Sequence, residues 1–571
     1  MKNKLKSLLS LTLAAFLLLC AGCSTSPGAA SGQEAASSAD TGVDANAGVT
    51  EDMESIVRFG RDWPTYYDPA VGSSYTCSIA QTNIYDSLVF FDNQTLTVVP
   101  HVATSWDISE DGMTYTFHLR DDVVFHSGNI LKASDVEYSM KRLLQIGQGP
   151  AYLYTSYIAD CYAPDDTTFV VELSTPFAPF INALPRFFIV EQALVEANYD
   201  MSVSTYGEYG DYGTNWLLTH DAGSGPYKTY EFMLEEYLIG ERFEDYFLGW
   251  EGDLERAPKY FKISNMADAV AQRTAYANQE LEVSSDSLPQ ETYEELAAMG
   301  ASIVTKKGTG AWSILMNTKI APTDDVNFRK ALAYAFDYDT MQNVIFPTSE
   351  KMTGPVADGF FGKNEELEGY YFDLEKAKEY LAKSKYADDP SAWVVTMSWC
   401  AEVPEQEKLS LMFQAALEQL GIKLEITKKP FSAMSADAQT IETTPNTSIV
   451  QWSPDYYEAG SVFKSRYHSD SAGTWEQMEW LLDDQLDAMI DDALSTIDDA
   501  QREAKYKEIE AYIVDLCPTI WMGTNGSQMA VPPYLEWDLL DISNSGANCM
   551  SIVGYDIYFR NMRIDLDKKA Q

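Results

Sequence analysis

The chain has 571 residues, of which 46% are hydrophobic and 13% aromatic. Because this length exceeds what a single core supports, we expect two or three globular parts. The formal net charge of −46 excludes nucleic acid as a partner, because binding it requires cations that neutralise phosphates. This surface would repel anionic solutes and favour cationic or neutral ones over a screening distance of roughly 8 to 10 Å. The alternative is that the acidic residues only keep the protein in solution.

The N-terminus has the parts of a secretory signal. Lys2, Lys4 and Lys6 precede an apolar run over residues 8–22 that ends at Cys23. The run, at about fifteen residues, is short for a membrane-spanning helix. The tetrapeptide Cys-Ala-Gly-Cys at 20–23 resembles a bacterial lipobox, with Cys20 where leucine is usual. This resemblance implies that Cys23 is lipidated and tethers the protein to the membrane, while ordinary secretory cleavage is the alternative.

A flexible tether follows the signal. Residues 24–50 consist mainly of Ala, Ser, Gly, Asp and Thr and contain no aromatic residue, so they cannot bury enough apolar surface to order themselves. No later run of apolar residues approaches membrane-spanning length.

The first globular part begins with predicted strands over residues 55–59 and 82–91. Residues 106–119 alternate apolar and polar side chains around an Asp-Gly pair, which predicts a β-hairpin. Ser134 and Glu137 have capping-box spacing and predict the start of a helix.

The second half alternates strands and helices. The glycines of Gly-Ser-Gly-Pro-Tyr at 223–227 predict a tight turn that Pro226 ends. An apolar strand over 312–317 precedes a helix over 326–336, and Asp373 caps a further helix. The remaining elements are a strand at 394–399, a helix at 409–420, strands at 423–427 and 447–451, and a helix at 498–517. Strands and helices in this close order favour a mixed or parallel sheet.

Enzyme and metal motifs do not occur in the sequence. It contains no G-x-S-x-G, no H-E-x-x-H and no glycine loop of the Walker type, so we expect neither catalysis nor a cofactor. The five histidines form no H-x-x-x-H pair, which argues against metal ligation. Five cysteines of the mature chain lack metal-ligand spacing, and we expect at most one disulfide among Cys77, Cys161, Cys400, Cys517 and Cys549.

Five stretches carry a family resemblance, at residues 82–93, 103–129, 223–227, 316–337 and 452–458. Together they resemble the extracytoplasmic peptide-binding proteins of ABC importers, the family of the oligopeptide and dipeptide receptors. The resemblance spans about residues 51–537, with its blocks in order.

The resemblance implies a two-lobed α/β fold of three domains with mixed sheets and a hinged cleft. Domain I would comprise residues 51–90, 216–310 and 521–571, domain II the insert 91–215, and domain III, the second lobe, residues 311–520, after a signal at 1–22 and a tether at 23–50. The chain would cross between lobes near 308–312 and 517–521.

The resemblance also implies a ligand site. In the family an aspartate after a second-lobe strand binds the α-ammonium of the peptide, and here Trp452-Ser-Pro-Asp455 follows such a strand, with Gln451 where glycine is usual. Asp455 would be the amine anchor, since a buried charge needs a partner. A plain turn aspartate is the alternative. The other expected ligand-binding residues are Trp452, Gln451, Ser453, Trp399, Tyr75, Thr76 and Tyr456.

The expected function is capture of oligopeptides or dipeptides outside the cell by a monomer anchored at Cys23. Delivery would be to a permease and its ATPase subunits. The alternatives are another solute, namely an oligosaccharide, a nickel chelate or haem, or a sensor without transport.

Overall fold

The computed structural model describes residues 55–62, 64–92, 97–250, 254–545 and 554–570. All of them lie in one compact unit, over residues 52–571. None of the helices within these ranges is both long and apolar enough to cross a membrane. Cys23, the signal and the tether lie outside the described residues.

The elements up to residue 250 are mostly strands. In chain order they are β1 (Ile56–Arg61), α1 (Tyr75–Ile84), β2 (Val89–Asp92), β3 (Thr97–Pro100), β4 (Ala103–Ile108), β5 (Thr114–Leu119), α2 (Ala133–Ile146), β6 (Ile158–Asp165), β7 (Thr168–Leu173), α3 (Phe180–Ala183), α4 (Gln192–Glu196), β8 (Tyr227–Met233) and β9 (Tyr237–Arg242). Two 3-10 turns, Gly149–Leu153 and Leu184–Arg186, also matter below.

The remaining elements alternate between helix and strand. They are β10 (Tyr260–Asn265), α5 (Ala269–Ala277), α6 (Gln290–Ala298), β11 (Ser302–Lys306), β12 (Ala311–Met316), α7 (Val326–Ala335), α8 (Tyr338–Thr340), α9 (Leu374–Lys383), β13 (Val394–Cys400), α10 (Glu405–Glu418), β14 (Lys423–Lys429), α11 (Phe431–Asp437), β15 (Thr447–Trp452), α12 (Ala459–Arg466), α13 (Asp484–Leu494), α14 (Asp499–Leu516), β16 (Thr519–Thr524), β17 (Ser527–Val531), β18 (Leu535–Trp537), α15 (Asp538–Ser545), β19 (Met562–Ile564) and α16 (Leu566–Lys569).

Three larger sheets organise the chain. The first has the order β1-β10-β9-β8, with β1 parallel to β10 and the other pairs antiparallel. The second is the antiparallel sheet β4-β5-β7-β6. The third has the order β14-β13-β15-β12-β16, in which β13 is parallel to both neighbours and β12 antiparallel to both of its own. The expectation of an α/β fold with mixed sheets is therefore confirmed.

The predicted hairpin is present as β4 and β5. Trp106 pairs with Phe117, while Tyr115, Phe117 and Leu119 are buried and His118 is exposed, as the alternation requires. The N-cap of the helix after it is Lys132, two residues before the predicted cap Ser134. The backbone N–H of Lys132 donates to Asp135 at 2.9 Å, so Asp135 closes the first turn and Ser134 lies inside α2.

The strand predicted over 82–91 is wrong in its first part. Residues up to Ile84 belong to α1, because Ser74 caps that helix by accepting from the backbone N–H of Cys77 at 3.3 Å. The hydroxyl of Thr82 donates to the carbonyl of Ser78 at 2.8 Å, a bond within the helix that β-propensity does not register. The strand itself begins at Val89.

The elements predicted for the second half are confirmed within a few residues. β12, α7, β13, β14 and β15 match the expected positions, and α10 begins four residues earlier than predicted, at Glu405. Asp498 caps α14 by accepting from Gln501 at 2.9 Å, and Cys517 ends it in the left-handed region at φ 46°.

A two-stranded ribbon joins the first and third sheets. β11 pairs antiparallel with β17, and the strands next to them in the chain, β12 and β16, pair in the five-stranded sheet. The two chain segments between these sheets therefore run side by side, at 307–310 and 525–526. The domain boundaries given above stay a prediction.

The cysteines of the described ranges are buried thiols. Cys77, Cys161, Cys400 and Cys517 form no disulfide there, and Cys549 lies outside the described residues. Burial raises the pKa of the Cys517 thiol to about 11, so this thiol is protonated at neutral pH.

Candidate functional site

A cavity of about 910 Å³ lies where several strands end. Arg61, Lys306 and Trp452 line it, and each is the last residue of its strand, β1, β11 and β15 respectively. Tyr75, at the start of α1, and Trp312, on β12, complete the inner part of the lining. The carboxyl ends of strands in α/β sheets are a common place for ligands, because several chain segments converge there.

One edge of the cavity is held by Asn525. Its side-chain N–H donates to the carbonyl of Trp452 at 3.2 Å and to Ser453 Oγ at 2.9 Å. Its Oδ1 accepts from the backbone N–H of Gly310 at 2.9 Å. A Cβ at Gly310 would lie 1.7 Å from the carbonyl oxygen of Trp452, so only glycine fits at this crossing. Asn525 and Gly310 thus position the segment that bears Trp452 and Ser453.

Aromatic rings form the wall contributed by the third sheet. The rings of Trp312 and Phe346 stack at 4.4 Å, and both residues line the cavity. Behind the wall, the guanidinium of Arg466 lies 4.9 Å from the ring of Trp452 and 4.8 Å from that of Trp475. Arg466 is 3% exposed, so the cation contacts both indoles away from water. This wall can contact apolar or aromatic groups of a ligand.

A second wall of the cavity is charged but balanced. Lys306 forms ion pairs with Asp556 and Asp286, and Arg61 forms one with Asp286. The hydroxyl of Tyr75 donates to Asp556 at 2.5 Å, and the guanidinium of Arg61 lies 4.4 Å from the ring of Tyr75. Burial alone would raise the pKa of Asp286, but the charges of Arg61 and Lys306 outweigh it and lower that pKa. Two cations therefore neutralise two carboxylates, and the wall offers polar atoms without excess charge.

Four of the residues expected to bind ligand line this cavity: Tyr75, Gln451, Trp452 and Ser453. Gln451 and Ser453 are exposed at the end of β15, whereas Trp452 is buried and donates from its indole to Ser313 at 3.3 Å. The structure therefore brings the end of β15 and the start of α1 to the same cavity, although Tyr75 and Gln451 are 376 positions apart in the sequence.

Asp455 lies just beyond the lining, two residues after Ser453. The hydroxyl of Tyr152 donates to its carboxylate, and Ser461 accepts from its backbone N–H at 3.0 Å. No basic side chain of the described ranges forms an ion pair with it. Burial raises the pKa of Asp455, and the charges of Arg186 and Arg466 with the bond from Tyr152 offset part of that effect. Its carboxylate is therefore partly buried and has no cation as a partner within the described residues.

The other three expected residues are packed inside the protein. Thr76 donates to Asp62 at 2.9 Å and is 1% exposed. Trp399 is buried on β13, and the ammonium of Lys428, on the neighbouring strand β14, lies 5.0 Å from its ring. The ring of Tyr456 meets that of Phe177 edge to face at 6.1 Å. Their part in binding stays a prediction.

The sequence reading missed Arg61, Lys306 and Asn525. Each is charged or polar and stands at or next to the end of a strand, which is a usable signal when the partner strands are known. Their partners lie far away in sequence, as with Arg61 and Asp286, which are 225 residues apart. No local pattern announces such a pairing.

Comparison with known proteins supplies the remaining observations. A model of the bacterial extracellular solute-binding proteins, family 5 (middle part), matches residues 97–474. The probable D,D-dipeptide-binding periplasmic protein DdpA of Escherichia coli (strain K12) is 24% identical over 499 residues, which cover 85% of this chain and 91% of that protein. Heme-binding protein A of Haemophilus influenzae is 26% identical over 548 residues, covering 90% and 93% of the two chains.

A solved structure agrees with these matches. The crystal structure of the ABC transporter substrate-binding protein CtaP from Listeria monocytogenes has a TM-score of 0.77 at 21% sequence identity. The alignment covers 89% of this chain and 99% of that one. At this identity the likeness establishes a shared fold.

Proposed function

Because the chain belongs to the bacterial extracellular solute-binding proteins of family 5, we propose that it is the receptor of an ABC importer and captures short peptides with a free N-terminus. The family membership agrees with the resemblance drawn from the sequence. The receptor passes its ligand to a membrane permease driven by ATPase subunits. The two sides of the cavity close on the ligand by a hinge motion at the paired segments 307–310 and 525–526.

The observation that carries the peptide proposal is the state of Asp455. Its carboxylate is partly buried at the margin of the cavity and has a hydroxyl, but no cation, as its side-chain partner in the described chain. A ligand ammonium would supply the missing charge, because a buried carboxylate is stabilised by a hydrogen-bonded cation. The name of the E. coli relative, a D,D-dipeptide-binding protein, supports the same class of ligand.

The aromatic wall favours a second candidate. Trp312, Phe346, Trp452 and Trp475 present ring faces that suit a planar or sugar ligand as well as an apolar side chain. The relative named as a heme-binding protein is consistent with a ligand of that kind. Haem, oligosaccharides and nickel chelates are therefore the competing solutes, and a sensor without transport is the competing role.

Direct binding assays decide between these solutes. The purified protein is incubated with pooled dipeptide to tetrapeptide libraries, and separately with haem, nickel–histidine and oligosaccharides, and thermal stabilisation is measured. A ligand that binds only the folded state raises the melting temperature, and the rise grows with the logarithm of its concentration relative to Kd. The proposal requires that peptides stabilise the protein and lose this effect when their N-termini are acetylated. Stabilisation by haem, a chelate or a sugar alone would refute it.

The anchor at Cys23 is part of the proposal. Removal of the signal would leave Cys23 as the first residue, and more than one acyl chain is needed for a lasting tether. Cys23→Ser in the full chain tests this. The wild-type protein should fractionate with membranes, and the variant should be released. Retention of the variant on the membrane would contradict lipid anchoring at this residue, without affecting the ligand.

A further inference from the structure

Arg186 is a buried cation with few hydrogen-bond partners among the described residues. It ends the 3-10 turn Leu184–Arg186 and is 5% exposed. Its guanidinium makes one long hydrogen bond, from Nη2 to the carbonyl of Ser73 at 3.3 Å, and no ion pair within the described chain. A guanidinium carries five N–H donors, so most of its capacity is unused.

Two other buried arginines of the protein are satisfied. Arg142 forms a two-bond pair with Asp68, at 2.8 and 2.7 Å. Arg329 donates to three backbone carbonyls, at 2.9, 2.8 and 2.7 Å. Because burying a charge is costly without partners, the sparse bonding of Arg186 sets it apart from both.

The position of Arg186 is fixed by the residues around it. Tyr154 donates to the carbonyl of Ala183 at 2.7 Å, and Tyr555 donates to that of Pro185 at 2.5 Å. These bonds hold the turn from both sides. Its partner Ser73 stands two residues before Tyr75, which lines the cavity. Arg186 is not itself part of the cavity lining, and its bond to Ser73 places it on the side of α1, near Tyr75.

Asp455 approaches the same place from the end of β15. Tyr152, which bonds to its carboxylate, belongs to the turn Gly149–Leu153, and Tyr154 beside that turn is bonded to the turn of Arg186. Of the charges that act on the Asp455 carboxyl, that of Arg186 has the largest effect, yet the two groups are too far apart to form an ion pair. A cation and a carboxylate, neither with a charged partner among the described residues, thus act on each other near the residues that line the cavity.

The cations of the charged wall cannot take this role. Lys306 and Arg61 are neutralised by Asp556 and Asp286, and Lys307 is paired with Glu350 at 3.0 Å. Lys408 lines the cavity and has no such partner in the part of the chain that the structure describes, but it is exposed on α10, where water already solvates its ammonium. Arg466, also buried, donates to the carbonyl of Glu476 at 2.8 Å and packs against the rings of Trp452 and Trp475. Arg186 has no such packing against aromatic rings in the described residues, and a ligand carboxylate would supply the partners it lacks there.

We propose that Arg186 binds the carboxylate of the ligand while Asp455 binds its ammonium, so that the ligand is a short zwitterion, a free amino acid or a dipeptide. This inference rests on the proposed function and goes further, by assigning the carboxylate residue and the ligand length. The hydroxyl of Tyr152, which donates to the Asp455 carboxylate, occupies the position proposed for the ammonium and would leave it on binding. The two charges of a short zwitterion lie near each other, whereas the two ends of a longer, extended peptide are further apart.

The test compares free acids with amides. Pooled dipeptide, tripeptide and tetrapeptide libraries, each with a free or an amidated C-terminus, and a pool of free amino acids with their amides are offered to the full-length protein. Retained species are identified by mass spectrometry, and the best binder is measured by calorimetry. We expect amino acids or dipeptides to be retained, with the free acid binding about 30-fold more tightly than its amide. Arg186→Gln should reduce this ratio to about threefold or less.

Two further variants keep the test decisive. Lys408→Gln should retain the full ratio, whereas loss of the ratio in this variant alone would transfer the carboxylate to Lys408. Arg186→Lys serves if Arg186→Gln does not fold. It keeps a charge but not the planar fork, so its ratio of acid to amide affinity should lie between those of the wild-type protein and Arg186→Gln. Arg329→Gln, which also removes a buried arginine, controls for loss of stability and should leave the ratio unchanged.

The outcomes separate this inference from the proposed function. If peptides bind and N-acetylation abolishes binding, but acid and amide bind equally, the peptide receptor stands and the role of Arg186 is refuted. Retention of tetrapeptides in preference to shorter species would also refute it. If no member of any pool binds, both proposals fail.

Discussion

Asp455→Asn tests the ammonium site most sharply. Asparagine has nearly the same shape and can still accept the hydrogen bond from Tyr152, so the fold should be preserved. Removing one partner of a desolvated, hydrogen-bonded charge pair costs about 2 to 5 kcal/mol. Because Asp455 is only partly buried and solvent remains near it, the lower end applies. A loss of about 2 to 3 kcal/mol corresponds to a roughly 30- to 150-fold weaker Kd.

Isothermal titration calorimetry with the best-binding peptide and its N-acetylated form measures this effect. The unmodified protein should lose affinity when the peptide is acetylated, whereas Asp455→Asn should bind the two forms about equally. Glu405→Gln is a matched control, since it removes one negative charge from the cavity lining without touching the proposed ammonium site. Its effect should be threefold at most, because charges exposed to solvent are screened. An affinity of Asp455→Asn within twofold of the unmodified protein would refute the ammonium site.

Three other variants probe the cavity and its surroundings. Glu479 is fully buried, one of its oxygens accepts from Thr519 and the other has no partner in the described chain, and burial raises its pKa to about 7 from an ordinary 4.5. The folded protein then keeps a proton that the unfolded chain releases, so Glu479 makes stability fall by roughly 3 kcal/mol as pH rises from about 4.5 to about 7. Urea unfolding across this range should show a fall that is smaller in Glu479→Gln than in the wild-type protein by about this amount. Gly310→Ala should cost at least about 2 to 3 kcal/mol in urea unfolding, because its Cβ would overlap the carbonyl of Trp452, and a cost below about 1 kcal/mol would show that the crossing is looser than the structure has it. Tyr152→Phe should raise peptide affinity about three- to tenfold, since the ammonium no longer displaces a hydroxyl worth about 1 kcal/mol, whereas a tenfold loss in calorimetry would mean that this hydroxyl binds the ligand.

Local sequence patterns predicted much of the fold. The hairpin of β4 and β5 follows from alternating side chains around a turn, and Asp373 and Asp498 cap α9 and α14 as their positions suggest. Such signals act over a few residues, where spacing and side-chain chemistry decide the geometry. The error at residues 82–84 arose where the helix hydrogen bonds of Ser74 and Thr82 prevail over β-propensity.

The site was less predictable because its contacts join distant parts of the chain. Trp452 and Ser453 were found through their place after a strand, but Asn525, which holds both, is more than 70 residues away. Arg186 gives no signal in its own neighbourhood. Its significance follows from burial and from the few partners it meets, which only the folded structure specifies.

Native mass spectrometry of the purified mature protein, followed by denaturation and sequencing of what was bound, tests the central claim most directly. The account predicts co-purified zwitterions of one or two residues, each with a free amino group and a free carboxylate. A bound haem, metal chelate or glycan in place of these would contradict it.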